Sequence, residues 1–144
     1  MSEQVIDASI AVKWVVNDED FCEESLKLLY DTRSKDIALI GPPLLIYEVE
    51  SVLQRRFVRN LVSLETVESS LEAFYAVGVR IVSHPDMVLR AREIARQFKQ
   101  ENVYDSIYAA LAELRGCEFW TADRRFYEPV KFGLSFVKYL PEQF

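Results

Sequence analysis

Short apolar runs alternate with stretches of helical periodicity along the whole chain, and this alternation is the strongest constraint on its fold. Runs of this length and composition are typical of strands that are buried on both faces. The five runs are QVID at 4–7, IALI at 37–40, VRIV at 79–82, CEFWTA at 117–122 and LSFVKYL at 134–140. Strands that are separated by helices form a parallel sheet. We therefore predict an α/β fold, a three-layer α/β/α domain with a central five-stranded parallel sheet.

Helical segments fill the gaps between these runs, and several of them carry capping signals. The predicted helices span about 20–33, 43–59, 63–77 and 104–115, and a further helix opens at Ser83-His84-Pro85-Asp86. In this pattern Ser63 is the expected N-cap of the third helix, and Gly78 and Gly116 are expected helix stops. On the first long helix, Leu26, Leu29 and Tyr30 share one face, which we predict to be buried.

The size and composition of the chain indicate a self-sufficient globular protein. The chain has 144 residues, half of them apolar, which predicts one domain over residues 1–144. Cys22 and Cys117 lie far apart and match no metal-ligand or redox spacing, so we expect two reduced thiols. The N-terminus has no secretory pattern, and no window approaches the length of a membrane helix. We expect a cytoplasmic protein that does not contact a membrane.

The net charge of the chain limits which partners it can have. A formal charge of −6 argues against a general nucleic-acid coat protein, whose affinity comes from neutralising phosphates. It does not argue against a nuclease, because carboxylates that hold divalent cations contribute such charge and the bound cations reverse the local field.

Three aspartates follow strands or begin helices in this pattern. Asp7 directly follows the first strand and Asp123 lies just beyond the fourth, so both belong to the carboxyl edge of the sheet, where functional groups gather. Asp105 lies near the start of a helix. Each has a structural alternative: Asp7 and Asp123 are good N-cap residues, and Asp105 complements a helix dipole. Taken singly, none of them establishes a functional site.

Glu48 is harder to explain by local structure. It lies beside the apolar stripe of the helix that follows the second strand, and an unpaired carboxylate there is costly. Two explanations remain open: an ion pair with Arg55 or Arg56, or a cation shared with the other acids. Glu50 lies about 200° further round the helix, so we predict that it is solvated and outside any site that contains Glu48.

Four segments of the chain contain these acids: VIDAS at 5–9, PLLIYE at 43–48, VYDSIYAALA at 103–112 and FWTADRRF at 119–126. Taken in order, they resemble the PIN-domain ribonucleases, especially the VapC-like toxins of toxin–antitoxin pairs. The resemblance implies a strand order of 3-2-1-4-5 with the acids clustered at the carboxyl edge. It assigns catalytic and metal-binding roles to four acids and supporting roles to two hydroxyls. The acids are Asp7, Glu48, Asp105 and Asp123, and the hydroxyls are those of Ser9 and Thr121.

The predicted chemistry follows from the ligand types. Oxygen ligands without a cluster of His or Cys favour Mg²⁺ or Mn²⁺ over Zn²⁺. Such a site is expected to activate water for in-line attack on a backbone phosphate, and the resemblance implies that the substrate is RNA, with 5′-phosphate and 3′-hydroxyl products. It also implies a small antitoxin partner and a homodimer. Lys13, Arg124 and Arg125 closely follow the acidic segments, so they are candidates for contacts with RNA phosphates.

Two other functions compete with this interpretation. A receiver-like phospho-acceptor domain also has a five-stranded α/β fold and an acidic Mg²⁺ pocket. It needs paired acids after the first strand, however, whereas this chain has a lone Asp7 there. A non-catalytic PIN-fold module that binds RNA or protein is the second alternative. The presence of all four acids counts against it.

Overall fold

The computed structural model describes residues 2–144, and its centre is a five-stranded parallel sheet. The strands are β1 (Glu3–Ile6), β2 (Ala38–Gly41), β3 (Arg80–Ile81), β4 (Glu118–Thr121) and β5 (Val137–Tyr139). Their order across the sheet is β3-β2-β1-β4-β5, and every neighbouring pair is parallel. The predicted fold class and strand order are confirmed.

Helices cover both faces of this sheet. They are α1 (Ala8–Val15), α2 (Cys22–Ser34), α3 (Leu44–Val58), α4 (Leu64–Val77), α5 (Met87–Gln97), α6 (Tyr104–Arg115) and α7 (Arg124–Val130), followed by a 3₁₀ turn at Leu140–Glu142. Helix α1 packs against α2, α3 and α4, whereas α5 packs against α6. Right-handed crossovers place these two groups on opposite faces, because the strand order reverses direction after β3. No helix within residues 2–144 is long and apolar enough to cross a membrane.

The central strand β1 is covered by helices on both faces of the sheet. Val5 and Ile6 are completely buried, and Val5 lies opposite Ile40 of β2 and Phe119 of β4. Strand β1 therefore has no solvent-facing side, as its continuous apolar run predicts. Its chain direction delivers the next residue, Asp7, to the carboxyl edge of the sheet.

Most helix ends follow the capping signals. The hydroxyl of Ser63 accepts a hydrogen bond from the N–H of Thr66 at 3.1 Å. Gly78 and Gly116 end α4 and α6 with φ angles of +78° and +67°, a left-handed conformation that glycine adopts without steric penalty. The glycine at the end of α6 returns the chain directly into β4.

One predicted helix start is wrong, and one predicted helix face is wrong in part. Helix α5 begins at Met87 and not at Ser83. On α2, Leu29 is buried as predicted, but Tyr30 is exposed, and the buried face includes Ser25 and Thr32. Each of these two hydroxyls donates to a backbone carbonyl at 2.8–2.9 Å. Apolar periodicity missed that face because small hydroxyl residues can be buried once they are hydrogen-bonded.

Candidate functional site

A cleft of about 540 Å³ opens at the carboxyl edge of the sheet. All four acids that the sequence singles out line it. Asp7 follows β1, Glu48 lies in the second turn of α3, Asp105 is the second residue of α6, and Asp123 immediately precedes α7. Residues that are far apart in the chain thus meet where the central strands end, as expected for an open parallel sheet.

Asp7 is the most rigidly held of these acids. Its side chain is only 3% exposed. One carboxylate oxygen accepts from the N–H of Ile10 at 3.2 Å and from the hydroxyl of Ser9 at 2.5 Å, and the other accepts from Thr121 at 2.5 Å. An ionised carboxylate has about four acceptor positions. The protein uses three of them, so Asp7 keeps capacity for one more electropositive partner.

The two hydroxyls that hold Asp7 also join β1 to the chain that leaves β4. Ser9 Oγ accepts from the N–H of Ala122 at 2.8 Å, and Thr121 Oγ1 accepts from the N–H of Asp123 at 3.0 Å. Ser9 and Thr121 therefore each bridge Asp7 and the start of the β4–α7 connection. The positions that resemblance gives to supporting hydroxyls are occupied by groups that orient an acid.

Capping and clustering turn out to be compatible at two positions. The side chain of Asp7 caps α1, and that of Asp123 caps α7 by accepting from the N–H of Arg125 at 3.0 Å. Both carboxylates nevertheless line the cleft. An N-cap carboxylate at the end of a strand lies between the sheet edge and the next helix, so one position satisfies both roles.

Burial and the charges of neighbouring acids raise the pKa values of the clustered carboxylates. Burial raises the pKa of Asp7 from 3.8 to about 6, although its three hydrogen bonds oppose this rise. Burial, followed by the negative charges of Asp7, Asp123 and Glu48, raises the pKa of Asp105 from 3.8 to about 7. A shared hydrogen bond with Asp123 also favours the protonated form of Asp105. Such mutual repulsion indicates a cluster without enough positive charge to neutralise it.

Glu48 forms neither of the ion pairs that its sequence allows. Its carboxylate instead accepts a hydrogen bond from the hydroxyl of Tyr108 on α6. Burial raises the pKa of Glu48, the bond from Tyr108 lowers it, and the charge of Asp123 raises it further. The guanidinium of Arg56, one of the two expected partners, instead donates hydrogen bonds of 2.8–2.9 Å to the carboxylates of Asp18 and Glu19. The second glutamate of α3, Glu50, lies outside the cleft and accepts from Tyr75 at 2.6 Å.

Tyr108 is a residue of this site that the sequence analysis missed. It lies three residues after Asp105 on α6, so both side chains are on the same helical face. That spacing was the available signal, but it was hidden because Tyr108 also fits the apolar core, where it is fully buried. Only the tertiary structure shows that its hydroxyl reaches Glu48 on α3.

The donor chemistry of the cleft fits a hard divalent cation. Its four carboxylates and two hydroxyls supply only oxygen atoms, the ligands that Mg²⁺ and Mn²⁺ prefer. Within residues 2–144, no group of three or more His, Cys, Asp or Glu side chains is already arranged to hold a metal ion. Carboxylates that repel one another are expected to stay apart until a cation draws them together. The residues therefore offer the right chemistry as an open cluster.

Of the three residues predicted to contact RNA phosphates, one lines the cleft and two do not. Lys13 lines the cleft and forms an ion pair with Glu19 at 3.0 Å. Arg124 and Arg125 begin α7 but do not line the cleft, and Arg124 lies 3.7 Å from Glu128. Arg55, which the sequence analysis considered only as a partner of Glu48, does line the cleft.

Comparison with protein families agrees with this architecture. The PIN domain matches residues 5–131, most of the chain. The chain therefore belongs to the PIN-domain family. No curated protein sequence is significantly similar to it.

Solved structures share the fold at low sequence identity. PAE2754 from Pyrobaculum aerophilum is 18% identical, with a TM-score of 0.62 over 89% of this chain and 86% of that one. VapBC2 from Rickettsia felis, bound to a promoter DNA fragment, is 14% identical, with a TM-score of 0.65 over 95% and 98%. VapC20 from Mycobacterium tuberculosis, a toxin that cleaves the sarcin–ricin loop, is 16% identical, with a TM-score of 0.65 over 91% and 95%. The fold is thus that of VapC toxins.

Proposed function

We propose that this protein is an endoribonuclease that depends on Mg²⁺ or Mn²⁺ and hydrolyses RNA phosphodiester bonds. The observation that carries the proposal is the gathering of four carboxylates, from four separate chain segments, in one cleft. Burial and mutual repulsion raise the pKa values of Asp7 and Asp105, and a divalent cation relieves this electrostatic cost. Membership in the PIN-domain family supports the same function.

The four acids have distinct tasks in this proposal. Asp7 and Asp105 are the central ligands, and Glu48 and Asp123 complete the site. When bound, the cation supplies a Lewis acid for the phosphate and lowers the pKa of an attacking water. Ser9 and Thr121 keep Asp7 aimed at the cleft, so its charge does not have to be reoriented during the reaction.

The first prediction concerns removal of the metal. Purified protein is expected to cleave total RNA in Mg²⁺ or Mn²⁺ and to lose that activity in excess chelator, because its carboxylates alone cannot activate water. Readdition of Mg²⁺ should restore cleavage, and gel electrophoresis with end-labelled RNA would report the products. Metal-independent cleavage would disprove the metal-dependent mechanism, and intact RNA under all conditions would favour the non-catalytic alternative.

The strand order argues against the receiver-like alternative. A receiver sheet has the order 2-1-3-4-5, whereas this sheet has the order β3-β2-β1-β4-β5. Strand β1 lies between β2 and β3 in a receiver sheet but between β2 and β4 here, so the strand ends beside Asp7 are not those of a receiver pocket. The non-catalytic PIN-fold module remains a competing proposal, and the cleavage assay decides it.

Arg55 is the residue we propose to bind an RNA phosphate beside the acidic cluster. Glu48, Ser51 and Arg55 lie on one face of α3 and line the same cleft, and Arg55 is about 10 Å from Glu48 along the helix axis. Arg55 is exposed and forms no ion pair within the described part of the chain. An exposed cation of this kind is available to a neighbouring nucleotide.

The second prediction tests this contact. Arg55→Ala is expected to weaken binding of single-stranded RNA and to reduce the slope of log affinity against log salt by about 0.7, the loss of one phosphate contact. Fluorescence anisotropy across a series of KCl concentrations would measure both, in an Asp7→Asn background that does not cut the probe. Arg59→Ala is the matched control, because Arg59 is exposed at the end of the same helix but outside the cleft. Equal slopes for the two variants would contradict the assignment.

We further propose that the chain is one domain over residues 1–144, acts in the cytoplasm and pairs with a small antitoxin protein as a homodimer. The VapBC2 structure supports a protein partner. Three apolar side chains are 42–65% exposed, which leaves apolar surface for a partner. They are Phe21, Val58 and Leu61. Light scattering of the purified chain, alone and with the product of a neighbouring small gene, would measure both associations.

A further inference from the structure

We propose that Tyr108 is a positioning residue that holds Glu48 in the metal-binding cluster. This inference rests on the proposed function, because it gives Tyr108 a role in binding the same cation. The observation that carries it is a hydrogen bond from the buried Tyr108 hydroxyl to a carboxylate oxygen of Glu48. The bond joins α6 to α3, two helices that otherwise approach the cleft from different parts of the chain.

The ring of Tyr108 has little freedom, so its hydroxyl is a fixed donor. Tyr108 is fully buried, and its ring is stacked on Phe119 of β4, with the centroids 5.7 Å apart and the planes 9° from parallel. A side chain held by the sheet in this way does not have to be ordered when it binds Glu48, which lowers the entropic cost of the bond. The sheet thus fixes the position of the hydroxyl.

Glu48 needs such a donor more than Asp7 and Asp123 do. Asp7 has three hydrogen-bond donors and Asp123 caps a helix, whereas Glu48 has a longer side chain with one more rotatable bond. Among the described residues, Tyr108 is its hydrogen-bond partner and no cation pairs with it. Without that bond, the carboxylate would be free to turn toward solvent.

The placement of Tyr108 also links two of the proposed ligands. Asp105 and Tyr108 are three residues apart on α6 and share a helical face. Helix α6 therefore supplies one acid directly and positions a second acid through Tyr108. Groups that orient metal ligands typically change metal affinity by 10–100-fold when they are removed.

The test is Tyr108→Phe, which removes the hydroxyl and keeps the ring that stacks on Phe119. We expect the affinity of the metal-free protein for Mg²⁺, measured by titration calorimetry, to fall by about 10–100-fold. Circular dichroism should show an unchanged fold. The matched control is Tyr75→Phe, because Tyr75 donates to Glu50 on the same helix α3 but outside the cleft. That control should bind Mg²⁺ like the parent.

A second comparison separates positioning from a merely structural role. If Tyr108 acts through Glu48, then Tyr108→Phe should not weaken Mg²⁺ binding further in a Glu48→Gln background. The initial slope of each titration gives the relative affinity even where saturation is not reached. Equal Mg²⁺ affinity of the parent and Tyr108→Phe would overturn the inference, and so would additive losses in the double variant. A parent protein that binds no Mg²⁺ would instead overturn the proposed function, and this inference with it.

Discussion

Asp7→Asn is expected to reduce the rate of metal-dependent RNA cleavage by about a thousandfold or more while leaving the fold intact. The proposed cation contributes several kcal/mol to transition-state stabilisation, and about 1.4 kcal/mol corresponds to a factor of ten in rate. Asp7 is the most buried of the four acids and the one with the most protein hydrogen bonds. Replacing its charge by a neutral amide should remove the central ligand.

The fold should survive because asparagine can reproduce the local contacts of Asp7. Its amide oxygen can accept from the N–H of Ile10, and asparagine is as good an N-cap as aspartate. Its NH₂ group can donate to the hydroxyl of Thr121, which is able to turn and accept. Circular dichroism and urea unfolding would check this, alongside the initial cleavage rate in Mg²⁺.

Asp86→Asn is the matched control for this variant. Asp86 also precedes a helix, but its side chain is 68% exposed and lies outside the cleft, so its replacement should leave the cleavage rate unchanged. An Asp7→Asn protein that cuts RNA as fast as the parent would refute the role of Asp7. If both variants lost activity equally, the loss would have to come from something other than the cluster.

The metal-free protein is expected to lose stability as the pH rises from about 5 to about 8, and Asp105→Asn should remove most of that loss. In the folded protein the pKa of Asp105 is about 7, against an ordinary value of 3.8. Between these values the folded state holds a proton that the unfolded state has lost. Stability therefore falls with rising pH through this window, and the full cost is present once the pH exceeds the folded pKa.

The size of this effect follows from the pKa difference. About two of the pH units between the ordinary and the folded pKa lie above pH 5, which corresponds to about 3 kcal/mol for a fully shielded group, and solvent access to the open cleft reduces this loss to roughly 1–2 kcal/mol. Asp7, whose pKa is about 6 in the folded protein, contributes in the same direction. In Asp105→Asn, Asp7 also loses a repulsive neighbour, so that variant should be more stable than the parent at pH 8.

Urea unfolding in chelator at several pH values would measure the free energy of unfolding of both proteins. Mg²⁺ at pH 8 should stabilise the parent and have less effect on Asp105→Asn, since a ligand that binds only the folded state adds stability that increases with the logarithm of its affinity. Glu93→Gln is the control, because Glu93 is an exposed acid on α5 that pairs with Arg90. Stability that rises between pH 5 and pH 8 in the metal-free parent would contradict the repulsion described here.

The α/β fold class could be predicted from local signals in the sequence, whereas the strand order was implied by the family resemblance. Each central strand is a short apolar run, and Gly78 and Gly116 mark the ends of helices, so the alternation of elements could be predicted. The failures were also local. The buried face of α2 was predicted only in part because Ser25 and Thr32 are polar, and their burial depends on carbonyl partners that no periodicity reveals.

Part of the candidate site could likewise be predicted from the sequence, and part could not. Asp7 and Asp123 could be placed at one sheet edge from the sequence, because the direction of a parallel strand determines where the following residue lies. The choice between capping and clustering could not be made, since both use the same carboxylate at the same position. The structure shows that Asp7 and Asp123 do both.

What the sequence by itself determined is the set of strands, the strand-end positions of two acids and an oxygen-only donor chemistry. Only the tertiary structure decided that Glu48 is held by Tyr108 instead of an arginine, and that Lys13 and Arg55, but not Arg124 and Arg125, line the cleft. The physical reason is distance along the chain. Contacts between residues 60 positions apart, such as Tyr108 and Glu48, depend on how whole helices pack, which no local pattern encodes.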